Sequence, residues 1–113
     1  MKIEKQDDIT IFIPEEDFTI FFLQEFKKKL YSMIEEGNKK FIFNFKNISW
    51  IDSMGISILL LAGKNAIKSG LKTYICNANE KVKYSITLMK IDQFICIKET
   101  QEDAIEEFKK AED

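Results

Sequence analysis

Apolar residues recur at every second position near the start of the chain, first at Met1 and Ile3 and again at Ile9, Ile11 and Ile13, with Gln6-Asp7-Asp8 as a polar break between them. A period of two is that of a strand, so this stretch predicts a β-hairpin. Pro14 lacks an N–H and stops the second strand, and Glu15-Glu16-Asp17 lead to Thr19, a candidate helix cap. Leu23, Phe26, Leu30, Met33 and Ile34 then follow at helical spacing, opposite Gln24, Glu25, Lys27, Lys28 and Lys29. They predict an amphipathic helix ended at Gly37. Phe41 to Phe45 is a compact aromatic and β-branched run broken only by Asn44, which suits a central strand covered on both faces. Beyond Asp52-Ser53-Met54-Gly55, the run from Ile56 to Ile67 is apolar around most of a helical circumference and predicts a well-buried helix stopped at Gly70. Thr73 to Cys76 reads as a strand. Asn79 caps a short helix with Val82, Ile86 and Met89 on its inner side, and Phe94 to Ile97 forms a last strand. Thr100 and Asp103 make an approximate capping box for a closing helix with Ala104, Ile105, Phe108 and Ala111 inward, and the polar tail beyond Phe108 is expected to fray.

Two strands followed by alternating helix and strand imply an α/β fold, because strands joined through helices run parallel. The expected architecture is one domain over residues 1–113, with its core in about 1–108. A mixed sheet of four to five strands is covered by about four helices.

Composition narrows the function. The 113 residues are 45% hydrophobic and 32% charged, and the formal charge is −2. Such a chain has no basic field to hold nucleic acid. The opening residues show no signal-peptide pattern, and the longest apolar run, Ile58 to Ala62, is far short of the ~20 residues that span a bilayer. A cytoplasmic protein with no membrane insertion is therefore expected. Cys76 and Cys96 lie in apolar surroundings without metal-ligand spacing, and no histidine is present. They are read as buried, reduced thiols, with neither a metal site nor a cofactor. The missing histidine also removes the commonest general base, so the chain is expected to bind proteins and not to act as an enzyme.

The candidate site is Asp52-Ser53-Met54-Gly55. A serine there sits at or near a helix N-cap, where free backbone N–H groups gather and solvent has access. One reading is a plain capping serine. Another is a degraded G-x-S-x-G nucleophile elbow, which lacks its first glycine, replaced by Ile51, and any histidine to activate the serine. A glycine-rich phosphate loop is absent too, which argues against a nucleotide-binding enzyme.

A third reading rests on resemblance. The stretch Ile48-Ser49-Trp50-Ile51-Asp52-Ser53-Met54-Gly55-Ile56-Ser57-Ile58-Leu59 resembles the D-S-x-G-L-G segment of the STAS family, to which bacterial anti-sigma-factor antagonists belong. Lys90-Ile91-Asp92-Gln93-Phe94 and Thr100-Gln101-Glu102-Asp103-Ala104 are similar to that family's closing G-L-D-x-x-F and T-x-E-E-A stretches, so the likeness spans about Ile9 to Phe108. The resemblance implies a partner switch. The unphosphorylated antagonist binds an anti-sigma factor that is itself a serine kinase, the kinase phosphorylates the antagonist, and a phosphatase resets it. Carried over, the phosphoacceptor is Ser53, with Asp52, Met54, Gly55 and Ser57 at the docking edge and Phe18 and Thr19 nearby.

Several positions depart from the family pattern. Its G-E-L-D turn best matches Glu16-Asp17-Phe18-Thr19, with glutamate for glycine and threonine for the last acidic residue. Met54 and Ser57 replace smaller residues, and Lys90 replaces a glycine. Phe18, Phe21 and Phe22 crowd the start of the first helix and are read as core in preference to a contact surface, and Lys27-Lys28-Lys29 as a solvated helix face. The alternative function is a constitutive STAS scaffold subunit of a transport or signalling complex, in which Ser53 only caps its helix.

Overall fold

The structure, a computed structural model, describes residues 1–17 and 19–112, except the side chains of residues 20 and 112. Strand β1 (Lys2–Gln6) and strand β2 (Ile9–Ile13) form the antiparallel hairpin, with Ile3 opposite Phe12 and Asp7 in the left-handed region at the turn. Helix α1 (Ile20–Glu35) begins at Thr19, whose hydroxyl accepts from Phe22 N at 3.1 Å. It ends where Gly37 takes φ +95° and Asn38 N donates back to Met33 O. That closing turn needs a residue free of a Cβ penalty, which glycine supplies.

Strand β3 (Lys40–Asn44), helix α2 (Ser53–Ile67), strand β4 (Thr73–Cys76), helix α3 (Glu80–Leu88), strand β5 (Ile95–Lys98) and helix α4 (Gln101–Glu112) follow. Among the described residues the sheet order is β1-β2-β3-β4-β5, with β2 to β5 parallel, and β3 is central as expected. Parallel crossovers are right-handed, and here each steps to the next strand in the same direction, so the three crossover helices belong on one face. The packing agrees. Leu23, Phe26 and Leu30 of α1, Ile56, Leu59 and Ala62 of α2, and Val82 and Ile86 of α3 share one core with Phe12, Phe41, Phe43, Ile75 and Ile95. At its centre the rings of Phe12, Phe26 and Phe43 stack with centroids 5.3 to 5.7 Å apart.

The alternate strand residues Ile9, Ile11, Ile13, Ile42, Tyr74 and Cys76 face the other way. The closing helix covers them with Ala104, Ile105 and Phe108. Asn44, buried at the end of β3, donates to Gln101 Oε1 at 2.9 Å and ties that helix down. Thr100 caps it, accepting from Asp103 N at 3.1 Å.

Several expectations are corrected. Phe94 does not start the last strand. It closes a single 3-10 turn over Ile91–Gln93, and the strand begins at Ile95. Met89, which lies one residue past the end of α3, and Ala111, in the last turn of α4, are both exposed, and α4 continues to Glu112. Lys90 adopts φ 58°, ψ 32°, the left-handed conformation in which a glycine would be unstrained. Cys76 is fully buried, and burial pushes its thiol up to about 12, with Glu102 adding to the effect. Cys96, expected to be buried, is only half-buried because it lies on the edge strand.

Candidate functional site: the start of the second helix

Because β2, β3 and β4 run parallel, their carboxyl ends lie along one edge of the sheet, where the loops into α1, α2 and α3 gather. Side chains tie these loops together. Asn47 Nδ2 donates to Pro14 O at 3.4 Å. Asp17 Oδ1 accepts from Ser49 N at 2.6 Å and from Trp50 N at 3.5 Å. From the other side, Asn79 Nδ2 donates to Ile48 O at 3.3 Å and Ser49 O at 2.9 Å, while its Oδ1 caps α3 through Val82 N at 2.8 Å.

The structure gives the cap of α2 to Asp52, not to the serine. Asp52 is extended, and its Oδ1 accepts from Met54 N at 3.1 Å and Gly55 N at 3.0 Å, while its carbonyl takes the first helical bond from Ile56 N. Ser53 is therefore the first residue inside the helix. It is exposed, and its hydroxyl has no hydrogen-bond partner among the described residues. The plain capping reading of Ser53 is thereby corrected, because a carboxylate one residue earlier already holds the free N–H groups. The elbow reading fails as well. Left-handed backbone at non-glycine residues occurs at Asp7, Asn77 and Lys90 among the described residues, so Ser53 carries no such strain.

Of the other residues singled out from sequence, Met54 is 48% exposed and Gly55 is buried. Ser57 is exposed and donates to Met54 O at 2.6 Å. Met54, Ser57 and Ile58 join Leu23, Gln24 and Lys27 of α1 in a shallow groove of about 240 Å³. Thr19 is exposed and lines a separate groove of about 410 Å³ with Phe21, Phe22 and Lys29. Phe18 lies outside the described residues. Phe22 is half-buried and meets Phe26 edge-on, but Phe21, read as core, is 82% exposed, because it sits off the inward stripe of α1. Asn79 was read from the sequence only as a helix cap, and neither it nor Asp17 nor the 46%-exposed Trp50 was among the candidate site residues. Asp17 and Asn79 look like ordinary turn residues, and only the folded arrangement shows what they hold.

Residues 1–104 match the model of the STAS domain family. This chain belongs to the STAS domain family. Its sequence is 26% identical over 105 residues to a protein of Thermotoga maritima named "putative anti-sigma factor antagonist", covering 92% of this chain and 93% of that protein. The crystal structure of a Thermotoga maritima protein of that name is similar with a TM-score of 0.87 and 25% identity, over 94% of this chain and 92% of that one. SpoIIAA, an anti-sigma factor antagonist, is similar in its unphosphorylated form with a TM-score of 0.82 and 17% identity, over 96% of this chain and 95% of that one. The phosphorylated form of SpoIIAA, from Bacillus, matches with a TM-score of 0.70 and 18% identity, over 95% and 97% of the two chains. At those identities the SpoIIAA likeness is one of fold. The STAS domain has no helix, among the described residues, that is long and apolar enough to cross a membrane.

Proposed function

We propose that this STAS domain is an anti-sigma-factor antagonist that works as a partner switch. In its unphosphorylated form it binds an anti-sigma factor with serine kinase activity, phosphorylation of Ser53 releases that partner, and a phosphatase restores binding. One observation carries the proposal. Ser53 presents an exposed hydroxyl, uncommitted among the described residues, at the mouth of α2, beside exposed Met54 and Ser57.

The chemistry supports an off-switch. Phosphorylation adds about −1.5 to −2 charges. The helix N-terminus would ordinarily welcome an anion, but Asp52 already occupies Met54 N and Gly55 N. The phosphate would thus meet a carboxylate that already holds two of the helix-start donors. Two charges about 6 Å from a third cost about 1.4 kcal/mol at the dielectric of water, and roughly four times that at the effective dielectric of about 20 found near protein surfaces. A docked partner raises the penalty by excluding water, and ~1.4 kcal/mol is tenfold in affinity.

The test is capture of partners from native lysate with the unmodified protein, followed by Mg-ATP and intact-mass analysis. One added phosphate at Ser53 is expected, with Ser53→Ala still binding and Ser53→Asp binding weakly. Equal binding by the two variants refutes the switch.

A further inference from the structure

Trp50 is the only tryptophan, and it is 46% exposed although most large apolar side chains in the loops around it are packed away, as Phe45, Ile48 and Ile51 are. The backbone leading into it is held from two sides. Asp17 takes the N–H groups of Ser49 and Trp50, and Asn79 takes the carbonyls of Ile48 and Ser49, so two different loops grip one short segment from its donor and its acceptor sides. These hydrogen bonds lie at exposed or partly buried positions, where each is worth only about 1 kcal/mol net. Their effect is to set the loop's shape, more than to hold the fold together.

We infer that Trp50 is the apolar anchor by which the anti-sigma partner docks beside Ser53, and that Asp17 and Asn79 are the positioning residues that hold it in place. This deepens the proposed function and rests on it. A rigid, partly exposed indole supplies large contact area with little side-chain entropy to lose, and tryptophan leads the residue types that dominate binding energy. Fixing its backbone before binding removes an ordering cost that the complex would otherwise bear. The partner surface this selects is an apolar pocket that takes an indole. The location follows from chain connectivity, since Trp50 lies in the same loop as the Asp52 cap and three residues before Ser53.

Four variants separate anchor from clamp and clamp from fold. Trp50→Ala removes the indole. Asp17→Ala removes the acceptor, and Asp17→Asn keeps an oxygen in its place. Asn79→Asp keeps the cap on Val82 N but loses the donor to the loop carbonyls. In the free protein, amide hydrogen exchange at Ser49 and Trp50 is expected to rise about tenfold in Asp17→Ala and to return toward wild type in Asp17→Asn. Unchanged exchange in Asp17→Ala overturns the clamp. Binding is then read as retention of ATP-dependent Ser53 kinase activity from native lysate on immobilised protein, with urea midpoints as the control for folding. Trp50→Ala should retain at least about tenfold less kinase at an unchanged midpoint. Asp17→Ala and Asn79→Asp should lose several-fold, and Asp17→Asn should recover. Retention that Ser53→Asp abolishes but Trp50→Ala leaves intact overturns the anchor while the switch stands. Retention that Trp50→Ala abolishes but Ser53→Asp leaves intact supports the anchor and refutes the switch.

Discussion

Removing the carboxylate of Asp52 should destabilise the protein, and removing the neighbouring hydroxyl of Ser53 should not. Asp52 Oδ1 satisfies Met54 N at 3.1 Å and Gly55 N at 3.0 Å, two of the N–H groups that a helix start leaves without intrahelical partners. Replacing a capping residue by alanine costs about 1 kcal/mol, within a range of about 0.5–2. Losing a negative charge at the positive end of the α2 dipole adds about 0.3–1 kcal/mol. Asp52→Ala is therefore expected to lose about 1.5 kcal/mol. With a urea m-value of about 2 kcal/mol/M, that lowers the midpoint by about 0.75 M. Asp52→Asn keeps an acceptor and gives up only the charge, so it should fall between Asp52→Ala and wild type. Ser53→Ala removes an exposed hydroxyl with no partner among the described residues and places a better helix former at the first helical position, so its midpoint should stay within about 0.25 M of wild type or rise. Equilibrium urea unfolding followed by far-ultraviolet circular dichroism reads all four proteins. A loss in Ser53→Ala as large as that in Asp52→Ala would mean that the serine is the cap after all. Its hydroxyl would then be committed to the helix, and the structural basis for the switch would go with it.

Gly63→Ala sets helix propensity against space. Alanine gains about 1 kcal/mol of propensity, but its Cβ would come within 2.9 Å of Phe94 O and 3.0 Å of Phe94 Cβ, and such overpacking costs about 1–3 kcal/mol. Net destabilisation in urea is expected, and a more stable variant would show that α2 does not approach this segment so closely. Lys90→Gly should stabilise by about 0.5–1 kcal/mol. It relieves left-handed strain of about 1–2 kcal/mol against an entropic cost of about 0.5–1, and a lower urea midpoint would contradict the left-handed assignment. Cys76 should resist iodoacetamide in the native state and react once unfolded, while the half-buried Cys96 reacts first, as peptide mass mapping would show. Burial raises the Cys76 thiol from its ordinary 9.0 to about 12, so its stabilisation is complete below pH 9 and is lost as pH rises toward 12. Burial raises the Tyr74 hydroxyl with the same sign. Cys76→Ala isolates the thiol's share, and an equally steep alkaline decline in that variant would contradict the assignment.

What was written in the sequence is mostly local. The hairpin, the caps at Thr19, Asn79 and Thr100, the stops at Gly37 and Gly70, and the central place of β3 follow from periodicity and from residues that act on their own backbone neighbours. The Asp-Ser pair before an apolar helix was legible for the same reason, since helix starts recruit such residues. Tertiary structure decided which of the two does the capping, because Asp52 is extended and a side chain in that conformation folds back onto the N–H groups ahead of it, leaving Ser53 to solvent. It also decided that Cys96 lies on an edge strand, an outcome set by strand order, whereas the outward place of Phe21 follows from its position off the α1 stripe. Least legible was the grip of Asp17 and Asn79 on the Ser49-Trp50 segment. Residues about thirty positions apart meet there only because successive parallel strands return the chain to the same edge of the sheet, and no pattern along the sequence records that return.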